Sequence, residues 1–279
     1  MSETRAGTPQ EAKQKTAATY NAASDAYDSP ANSFWDRFGR RTVDRLQLTN
    51  GARVLDVCCG SGASAIPAAK AVGDSGTVLG IDLAENLLRL ATTKAAQEHL
   101  TNIEFRKGDL LNLDLPQESF DAVICVFGIF FIPDMTAAVT ELWRLVRRGG
   151  KLAITTWGPR FFEPASTAFW NSVQTVRPDL YKSFNPWDRI SEPGALRLLF
   201  ESAGVDESEV VAENATHRIN QPDDWWSMVI GTGYRGTVQQ LSETDYEEVR
   251  RENIEFIRSH DVRDVEANVL YGTAQKVRG

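Results

Sequence analysis

The chain has 279 residues, of which 42% are hydrophobic and 24% are charged, and this composition excludes a wholly disordered protein. Its 30 basic and 38 acidic residues give a net charge of −8, which argues against a nucleic-acid partner. The sequence has no apolar leader and no run of about 18 apolar residues, so we expect neither a signal peptide nor a transmembrane segment. Three cysteines are too few for a disulfide framework, and we therefore expect a cytoplasmic protein.

Strands and helices alternate through the first 160 residues. Residues 10–30 look helical with breaks, and apolar residues recur at near-helical spacing over 33–48. The patterns then predict strands at 53–59, 77–82, 103–109, 120–127 and 151–157, with helices at 63–72, 84–100 and 135–147. Such alternation is typical of a parallel sheet with helices on both faces, and it disfavours an all-helical protein.

The second half of the chain is less regular. Aromatic residues and prolines are frequent between residues 158 and 191, where no element is predicted. Beyond them the sequence predicts a helix at 192–205, a strand at 209–219, a mostly helical stretch at 221–260 and a last strand at 266–277. We expect the two late strands to complete the same sheet, and the helices between them to form an insertion that covers the site.

A glycine turn follows the first strand, in the stretch Val54-Leu55-Asp56-Val57-Cys58-Cys59-Gly60-Ser61-Gly62. Glycines between a strand and a helix allow a ligand to approach the backbone closely, although a tight connection without any ligand has the same appearance. Asp82 ends the second strand about 20 residues later, where a carboxylate can accept hydrogen bonds from ribose hydroxyls. Its alternative role is to cap the following helix.

Two further strand ends carry residues suited to a ligand. Gly108-Asp109-Leu110 follows the third strand, and Asp109 there can accept a hydrogen bond from an adenine amino group or be a polar loop residue. Cys125 and Val126 end the fourth strand. All four strand ends lie at the carboxyl edge of one sheet, which is where open α/β sheets bind ligands.

These segments resemble the class I S-adenosylmethionine-dependent methyltransferases, in particular the ubiquinone/menaquinone methyltransferase-like group. The turn D-V-C-C-G-S-G departs from the family pattern D-x-G-x-G-x-G at Cys58, although menaquinone-pathway methyltransferases have a similar D-V-C-C-G. Residues 127–157 look like the matching region of that group. Residues 20–28, Y-N-A-A-S-D-A-Y-D, resemble its Y-D-x-x-A-x-x-Y-D segment. The likeness is good over residues 17–160 and weak beyond.

The resemblance implies a Rossmann-like, seven-stranded, mostly parallel sheet with an antiparallel last strand, and S-adenosylmethionine as the cofactor. It implies that Asp82 binds the ribose and that Asp109 and Leu110 recognise the adenine. It also places Tyr20 and Tyr27 in an N-terminal lid, although core packing would explain their spacing equally well. The cofactor residues that it implies are Tyr20, Tyr27, Asp56, Cys58, Gly60, Ser61, Gly62, Asp82, Leu83, Gly108, Asp109, Leu110, Cys125 and Val126.

The expected domain organisation is one methyltransferase domain over residues 1–279. Residues 1–50 would form the helical lid, 51–160 the cofactor-binding core, and 161–279 the substrate-facing part with the insertion at about 220–262. The sequence leaves the oligomeric state open. It predicts no metal site, because the adjacent Cys58 and Cys59 with Cys125 lack the spacing of ligands that converge on one ion.

The acceptor is expected to be a small apolar or aromatic molecule, with a quinol as one form and oxygen or carbon as the methylated atom. The region beyond residue 156 is dense in large apolar side chains that would line its pocket, namely Trp157, Phe161, Phe162, Phe169, Trp170, Trp187, Trp225, Trp226, Met228 and Tyr234. His217, in the predicted strand 209–219, is the candidate general base, with a structural role as the alternative.

Other functions remain as alternatives. Methylation of a protein and binding of the cofactor without catalysis are both compatible with the motifs. A nicotinamide dehydrogenase is disfavoured by the Gly108-Asp109-Leu110 element and by residues 127–157. Aminopropyl transfer is disfavoured because residues 126–133 contain no acidic side chain that would hold a polyamine.

Overall fold

The computed structural model of the protein describes residues 9–205 and 207–277. Residues 1–8, the start of the predicted lid, lie outside the described residues. Two helices come first: α1 (Pro9–Ala23) and α2 (Phe34–Leu46), with a short 3-10 helix at Pro30–Asn32 between them. The left-handed conformation of Gln47 (φ 47°) ends α2, shortly before the turn predicted at Asn50-Gly51.

Alternating strands and helices then build the centre of the molecule, as the sequence predicts. The strands are β1 (Arg53–Val57), β2 (Thr77–Asp82), β3 (Ile103–Lys107), β4 (Phe120–Val126) and β5 (Val146–Trp157). The helices between them are α3 (Ala65–Val72), α4 (Glu85–Gln97) and α5 (Met135–Leu145).

The sheet has seven strands, of which the last two are β6 (Ser208–Glu213) and β9 (Val269–Gln275). Their order across the sheet is β3-β2-β1-β4-β5-β9-β6. Neighbouring strands from β3 to β5 pair in parallel, whereas β9 runs antiparallel to both β5 and β6. The predicted Rossmann-like sheet with one antiparallel strand is therefore confirmed. Because β1 lies between β2 and β4, the order reverses at β1, and a crevice is expected at the carboxyl end of that strand.

Alternate side chains of the central strands face opposite layers of helices. Val54, Ala122 and Ile124 pack with α2 and α3, whereas Leu55 and Val123 belong to the larger core on the opposite face. All five side chains are buried. Burying one such side chain stabilises the fold by about 1.5–3 kcal/mol, so the continuous apolar runs of these strands are explained by burial on both faces.

The C-terminal part differs from the prediction in three places. A helix that the sequence did not predict, α6 (Ala165–Val176), follows β5, and α7 (Pro193–Ser202) is shorter than expected. The predicted strand 209–219 is two strands, because the chain leaves the sheet after β6 and forms β7 (Thr216–Arg218) in a separate two-stranded sheet. Its partner there is β8 (Asp264–Glu266), which ends at the first residue of the predicted strand 266–277.

Three helices form the insertion between β7 and β8: α8 (Pro222–Ile230), α9 (Arg235–Val238) and α10 (Glu243–Ser259). They pack against the N-terminal segment, since α8 contacts the Pro30–Asn32 turn and α9 contacts α1. The Arg235 guanidinium also lies 2.9 Å from the Asp25 carboxylate. Within residues 9–205 and 207–277, no helix combines the length and the apolar character needed to cross a bilayer.

Candidate active site

A cavity opens at the carboxyl edge of the sheet, at the expected crevice beside β1. It holds about 810 Å³ counted to its open mouth, and we call it the edge cavity. Its walls come from the ends of β1, β2 and β4, from the segment after β3 and from α1. The predicted cofactor residues that line it are Tyr20, Tyr27, Cys58, Gly60, Asp82, Leu83, Gly108, Asp109, Leu110 and Val126.

Four predicted residues lie outside the lining. Asp56 is fully buried beneath the turn, where one carboxylate oxygen accepts a hydrogen bond from the Ser64 hydroxyl at 2.7 Å. The Ser61 hydroxyl donates to the Asp28 carboxylate at 2.6 Å, which joins the glycine turn to the N-terminal segment. A side chain at Gly62 would contact Ile66, and Cys125 is fully buried. These residues support the turn and do not form the cavity surface.

The backbone of the turn explains both the glycines and the unusual cysteine. Gly60 and Gly62 have φ values of +52° and +88°, a conformation that glycine adopts without steric cost. Cys58 has φ +56°. The family has a glycine at this position because the backbone there is left-handed. Cys58 adopts this conformation although residues other than glycine rarely do.

The Asp82 carboxylate is held in place by backbone groups at the base of the edge cavity. One oxygen accepts the N–H of Gly60 at 2.8 Å, and the other accepts the N–H of Ala84 at 2.8 Å. Burial raises the pKa of Asp82, and these hydrogen bonds oppose that shift. Each carboxylate oxygen has a second lone pair, so Asp82 can cap its helix and still accept hydroxyl groups of a ligand.

The Cys58 thiol is kept protonated by its surroundings. A hydrogen bond with the Cys125 thiol, together with burial, raises the pKa of Cys58 well above its ordinary value. Because the thiolate is the reactive form of cysteine, Cys58 lines the cavity as a small apolar group and not as a nucleophile. A Cβ at Gly128 would lie 2.3 Å from the Cβ of Cys58, so Gly128 is what makes room for this side chain.

Helix α1 covers one side of the edge cavity. The Lys13 ammonium lies 2.6 Å from the Asp109 carboxylate, and the Asn21 side-chain oxygen accepts the backbone N–H of Asn86 at 2.9 Å. Tyr20, also on this helix, packs edge-on against Phe131 with their ring centroids 5.6 Å apart. Helix α1 is therefore attached to both α4 and the segment after β3.

A second cavity, of about 570 Å³, adjoins the first, and we call it the aromatic cavity. Tyr20, Trp35 and Phe131 line both cavities and so form the boundary between them. The remaining lining of the aromatic cavity is Phe130, Trp157, Phe161, Trp170, Lys182, Asn185, Pro186, Trp187, Thr232, Gly233 and Tyr234. Five residues that were predicted to line a pocket are instead buried within the core, namely Phe162, Phe169, Trp225, Trp226 and Met228.

Comparison with known proteins identifies the family. The sequence profile of the family described as "Methyltransferase domain" matches residues 54–150. A demethylmenaquinone methyltransferase of a Geobacillus species is 36% identical over 180 residues, which cover 61% of this chain and 77% of that protein. The chain belongs to the class I S-adenosylmethionine-dependent methyltransferases. The resemblance to the quinone methyltransferase-like group is thereby confirmed.

A second sequence relative and a solved structure are also similar to this methyltransferase. An aklanonic acid methyltransferase of Streptomyces sp. (strain C5) is 34% identical over 144 residues, which cover 52% of this chain and 66% of that protein. A solved S-adenosylmethionine-dependent methyltransferase from Aquifex aeolicus superposes with a TM-score of 0.52 at 22% identity, covering 74% of this chain and 93% of that one. The superposition supports the fold.

S-adenosylmethionine is the cofactor of this methyltransferase, and the edge cavity fits it. The cofactor has hydroxyl and amino groups that donate hydrogen bonds and a sulfonium that is positive. The cavity presents the carboxylates of Asp82 and Asp109 together with apolar surface from Leu83 and Leu110. That Asp82 holds the ribose and that Asp109 and Leu110 read the adenine remain predictions, because no ligand contact tests them.

Asp56 makes the stability of the methyltransferase depend on pH. Burial raises its pKa to about 7, although the hydrogen bond from Ser64 opposes the shift, and its second oxygen has no partner among the described residues. The folded protein therefore keeps this proton at pH values where the unfolded chain has lost it, and Asp56 reduces stability as the pH rises toward 7. Asp56→Asn has no such proton to lose. We expect the difference in unfolding free energy between this variant and the unmodified chain to shift in favour of the variant by about 1 kcal/mol from pH 6 to pH 8. Urea titrations at both pH values would measure it, and an unchanged difference would contradict this role.

The Lys13–Asp109 ion pair is expected to slow release of the cofactor product. Both side chains are partly buried, with 15% and 26% of their area exposed, so the pair is screened less than a surface pair. We expect Lys13→Met to raise the dissociation rate of S-adenosylhomocysteine about three-fold, as loss of about 0.6 kcal/mol would. Stopped-flow displacement would measure the rate, with the surface variant Lys70→Met as the control. Equal rates for both variants would show that the pair does not hold α1 closed.

Several cavity residues were absent from the predicted set. Trp35 stacks on Tyr27 with ring centroids 5.2 Å apart, and Phe127 stacks on Trp157 at 4.0 Å. Phe131 and Ile132 also line the edge cavity. Phe127, Phe131 and Ile132 follow directly after the end of β4 at the ligand-binding edge of the sheet, and this position is the sequence signal for them. Nothing in the local sequence pattern distinguishes Trp35 from a core residue of α2.

The structure does not bring His217 to either cavity. Its Nε2 bonds the Ala31 carbonyl oxygen at 2.8 Å, and its ring packs edge-on against Phe34 at a centroid distance of 5.0 Å. Burial lowers the pKa of His217. His217 therefore does not have the position of a general base, because its side chain lies on β7, outside the main sheet, and joins β7 to the Pro30–Asn32 turn.

Proposed function

We propose that this methyltransferase transfers the methyl group of S-adenosylmethionine to oxygen or carbon of a small aromatic acceptor bound in the aromatic cavity. The observation that carries the proposal is the shared boundary of the two cavities at Tyr20, Trp35 and Phe131. A donor in the edge cavity and an acceptor in the aromatic cavity would meet directly where these three rings border both cavities. The sulfonium supplies an activated methyl group, and the protein's main task is then to align the acceptor with it.

The lining of the aromatic cavity supports a flat acceptor. Trp157, Phe161 and Trp187 lie in a continuous row, with ring centroids of neighbouring members 4.7 Å and 4.6 Å apart. Aromatic rings bury a large area at little entropic cost and stack on other rings, so such walls favour planar ligands. Relatives named for demethylmenaquinone and aklanonic acid are consistent with an aromatic small molecule.

The proposal is tested by tracing a labelled methyl group. The purified protein is incubated with methyl-labelled S-adenosylmethionine and an extract of its source cells, which is then separated into organic-soluble, aqueous, protein and nucleic-acid fractions. We expect label in the organic fraction, and loss of that label with Trp157→Ala. Label in protein would favour a protein acceptor instead. Cofactor binding without label in any fraction would contradict methyl transfer and favour a non-catalytic binding protein.

A further inference from the structure

The mouth of the aromatic cavity carries positive charge in a protein of net charge −8. A wider vestibule lies outside it and shares Tyr20, Phe130, Phe131, Lys182, Pro186 and Gly233 with the aromatic cavity. The charged side chains that line the vestibule are Lys15, Lys182 and Arg189. Among the described residues, no carboxylate lines the vestibule or the aromatic cavity. The route to the acceptor site is therefore cationic.

These cations are not neutralised by ion pairs within residues 9–205 and 207–277. Lys182 places its ammonium 5.6 Å from the centre of the Trp170 ring, and Arg189 donates to the carbonyl oxygens of Phe130 at 2.8 Å and Pro133 at 3.2 Å. The Lys182 side chain is exposed, and the protein atoms around its ammonium together with the neighbouring Lys15 ammonium lower its pKa. An anion bound here would offset the repulsion between the two ammonium groups.

Three of the tryptophans that line the aromatic cavity have indole N–H groups without a hydrogen-bond partner among the described residues. The indole N–H groups of Trp35, Trp170 and Trp187 are buried and have no acceptor among the described residues. Two tryptophans outside the cavity provide a contrast, because Trp225 donates to Asn253 at 2.8 Å and Trp226 donates to Tyr246 at 3.0 Å. Buried donors are normally paired, so these three tryptophans of the cavity wall differ from those of the core.

The aromatic cavity also lacks an ordinary general base. No aspartate, glutamate or histidine is among its described lining residues. The Tyr234 hydroxyl is held by the Ser166 hydroxyl at 2.8 Å, and burial raises the pKa of Tyr234. An acceptor that enters already ionised needs no base, since transfer to its oxygen forms one carbon–oxygen bond and breaks one carbon–sulfur bond, with the electron pair left on sulfur.

We propose that the acceptor is an aromatic oxyanion, a carboxylate or an acidic phenolate, which enters the aromatic cavity past Lys15, Lys182 and Arg189. This inference rests on the proposed function and narrows it to one chemical class. Lys182, which lines both the vestibule and the aromatic cavity, is the residue that selects the charge.

The test compares two probes of the same shape. 2-Naphthoate carries a carboxylate where 2-acetonaphthone carries a neutral acetyl group, and calorimetry measures both against the full chain saturated with S-adenosylhomocysteine. We expect the acid to bind about ten-fold more tightly than the ketone at low salt, and less than about two-fold more tightly in 0.5 M salt. Lys182→Met should reduce the low-salt preference to about two-fold, whereas Lys182→Arg should retain most of it. Lys70→Met, on a distant surface, serves as the matched control.

Equal affinity for the two probes in the unmodified chain, or an unchanged preference in Lys182→Met, would overturn the inference. Loss of the preference in Lys182→Arg would also overturn it, because that variant keeps the positive charge to which the preference is assigned. In each of these cases, binding of both probes would still support an aromatic acceptor site, so the proposed function would stand. If neither probe binds, the oxyanion proposal fails, and the organic-fraction label decides separately whether the proposed function fails with it.

Discussion

Replacing Asp82 with alanine is expected to weaken binding of S-adenosylhomocysteine by about 100-fold, which corresponds to about 2.7 kcal/mol. The substitution removes the acceptor of the backbone N–H groups of Gly60 and Ala84, both at 2.8 Å. It thus loosens the glycine turn at the same time as it removes the carboxylate from the edge cavity. Calorimetric titration of the cofactor product would measure the loss.

Asp74→Ala, at the other end of the same strand, is the matched control for this prediction. Asp74 precedes the same strand β2 but lies at its opposite, amino-terminal end, and it is exposed. We expect the affinity of Asp74→Ala for S-adenosylhomocysteine to stay within about two-fold of that of the unmodified chain, since isolated surface substitutions have small effects. A loss for Asp82→Ala that is no greater than that for Asp74→Ala would contradict the placement of the cofactor at β2.

Gly128→Ala is expected to lower the free energy of unfolding by about 2–3 kcal/mol, a size typical of overpacked sites. The added methyl carbon would lie 2.3 Å from the Cβ of Cys58 and 3.2 Å from the Cys125 sulfur. Because Cys58 lines the edge cavity, its displacement should also weaken binding of S-adenosylhomocysteine about ten-fold. Thermal or urea denaturation and calorimetry would report the two effects.

Two variants check that the cause is this one contact. Gly194→Ala, at a position with open space around it, should leave stability and affinity nearly unchanged. The double variant Cys58→Gly/Gly128→Ala removes the clashing side chain and gives position 58 a residue suited to its φ of +56°. We expect it to recover most of the stability, and an additive loss would show that the two residues do not interact as the structure indicates.

The central sheet could be predicted from the sequence because its strands are buried on both faces. Residues 120–126 are apolar except for Asp121, and residues 53–57 have Val54, Leu55 and Val57 around the buried Asp56. Each segment is followed by a turn and then a helix, so pattern alone predicts the element and its place. Asp82, Asp109 and the glycine turn were predicted correctly as neighbours since parallel strands end at one edge. The local pattern could not show that Asp109 would pair with Lys13, 96 residues away.

The C-terminal half was harder to predict because its structure depends on contacts distant in sequence. Residues 209–219 read as one strand, but the chain leaves the sheet at Glu213 and pairs Thr216 with Glu266 in the separate small sheet. That departure takes His217 away from the sheet edge where the two cavities lie. The predicted density of aromatic residues was informative, but only the fold separates the tryptophans of the aromatic cavity from those of the core.

A crystal structure with S-adenosylhomocysteine and 2-naphthoate bound would show the donor and acceptor sites together. We expect the ribose against Asp82, the adenine beside Leu83 and Asp109, and the sulfur facing the boundary formed by Tyr20, Trp35 and Phe131. The naphthalene ring should lie beyond that boundary, in the aromatic cavity. Cofactor density with its sulfur turned away from the aromatic cavity, or a naphthoate bound elsewhere, would contradict the arrangement of donor and acceptor sites.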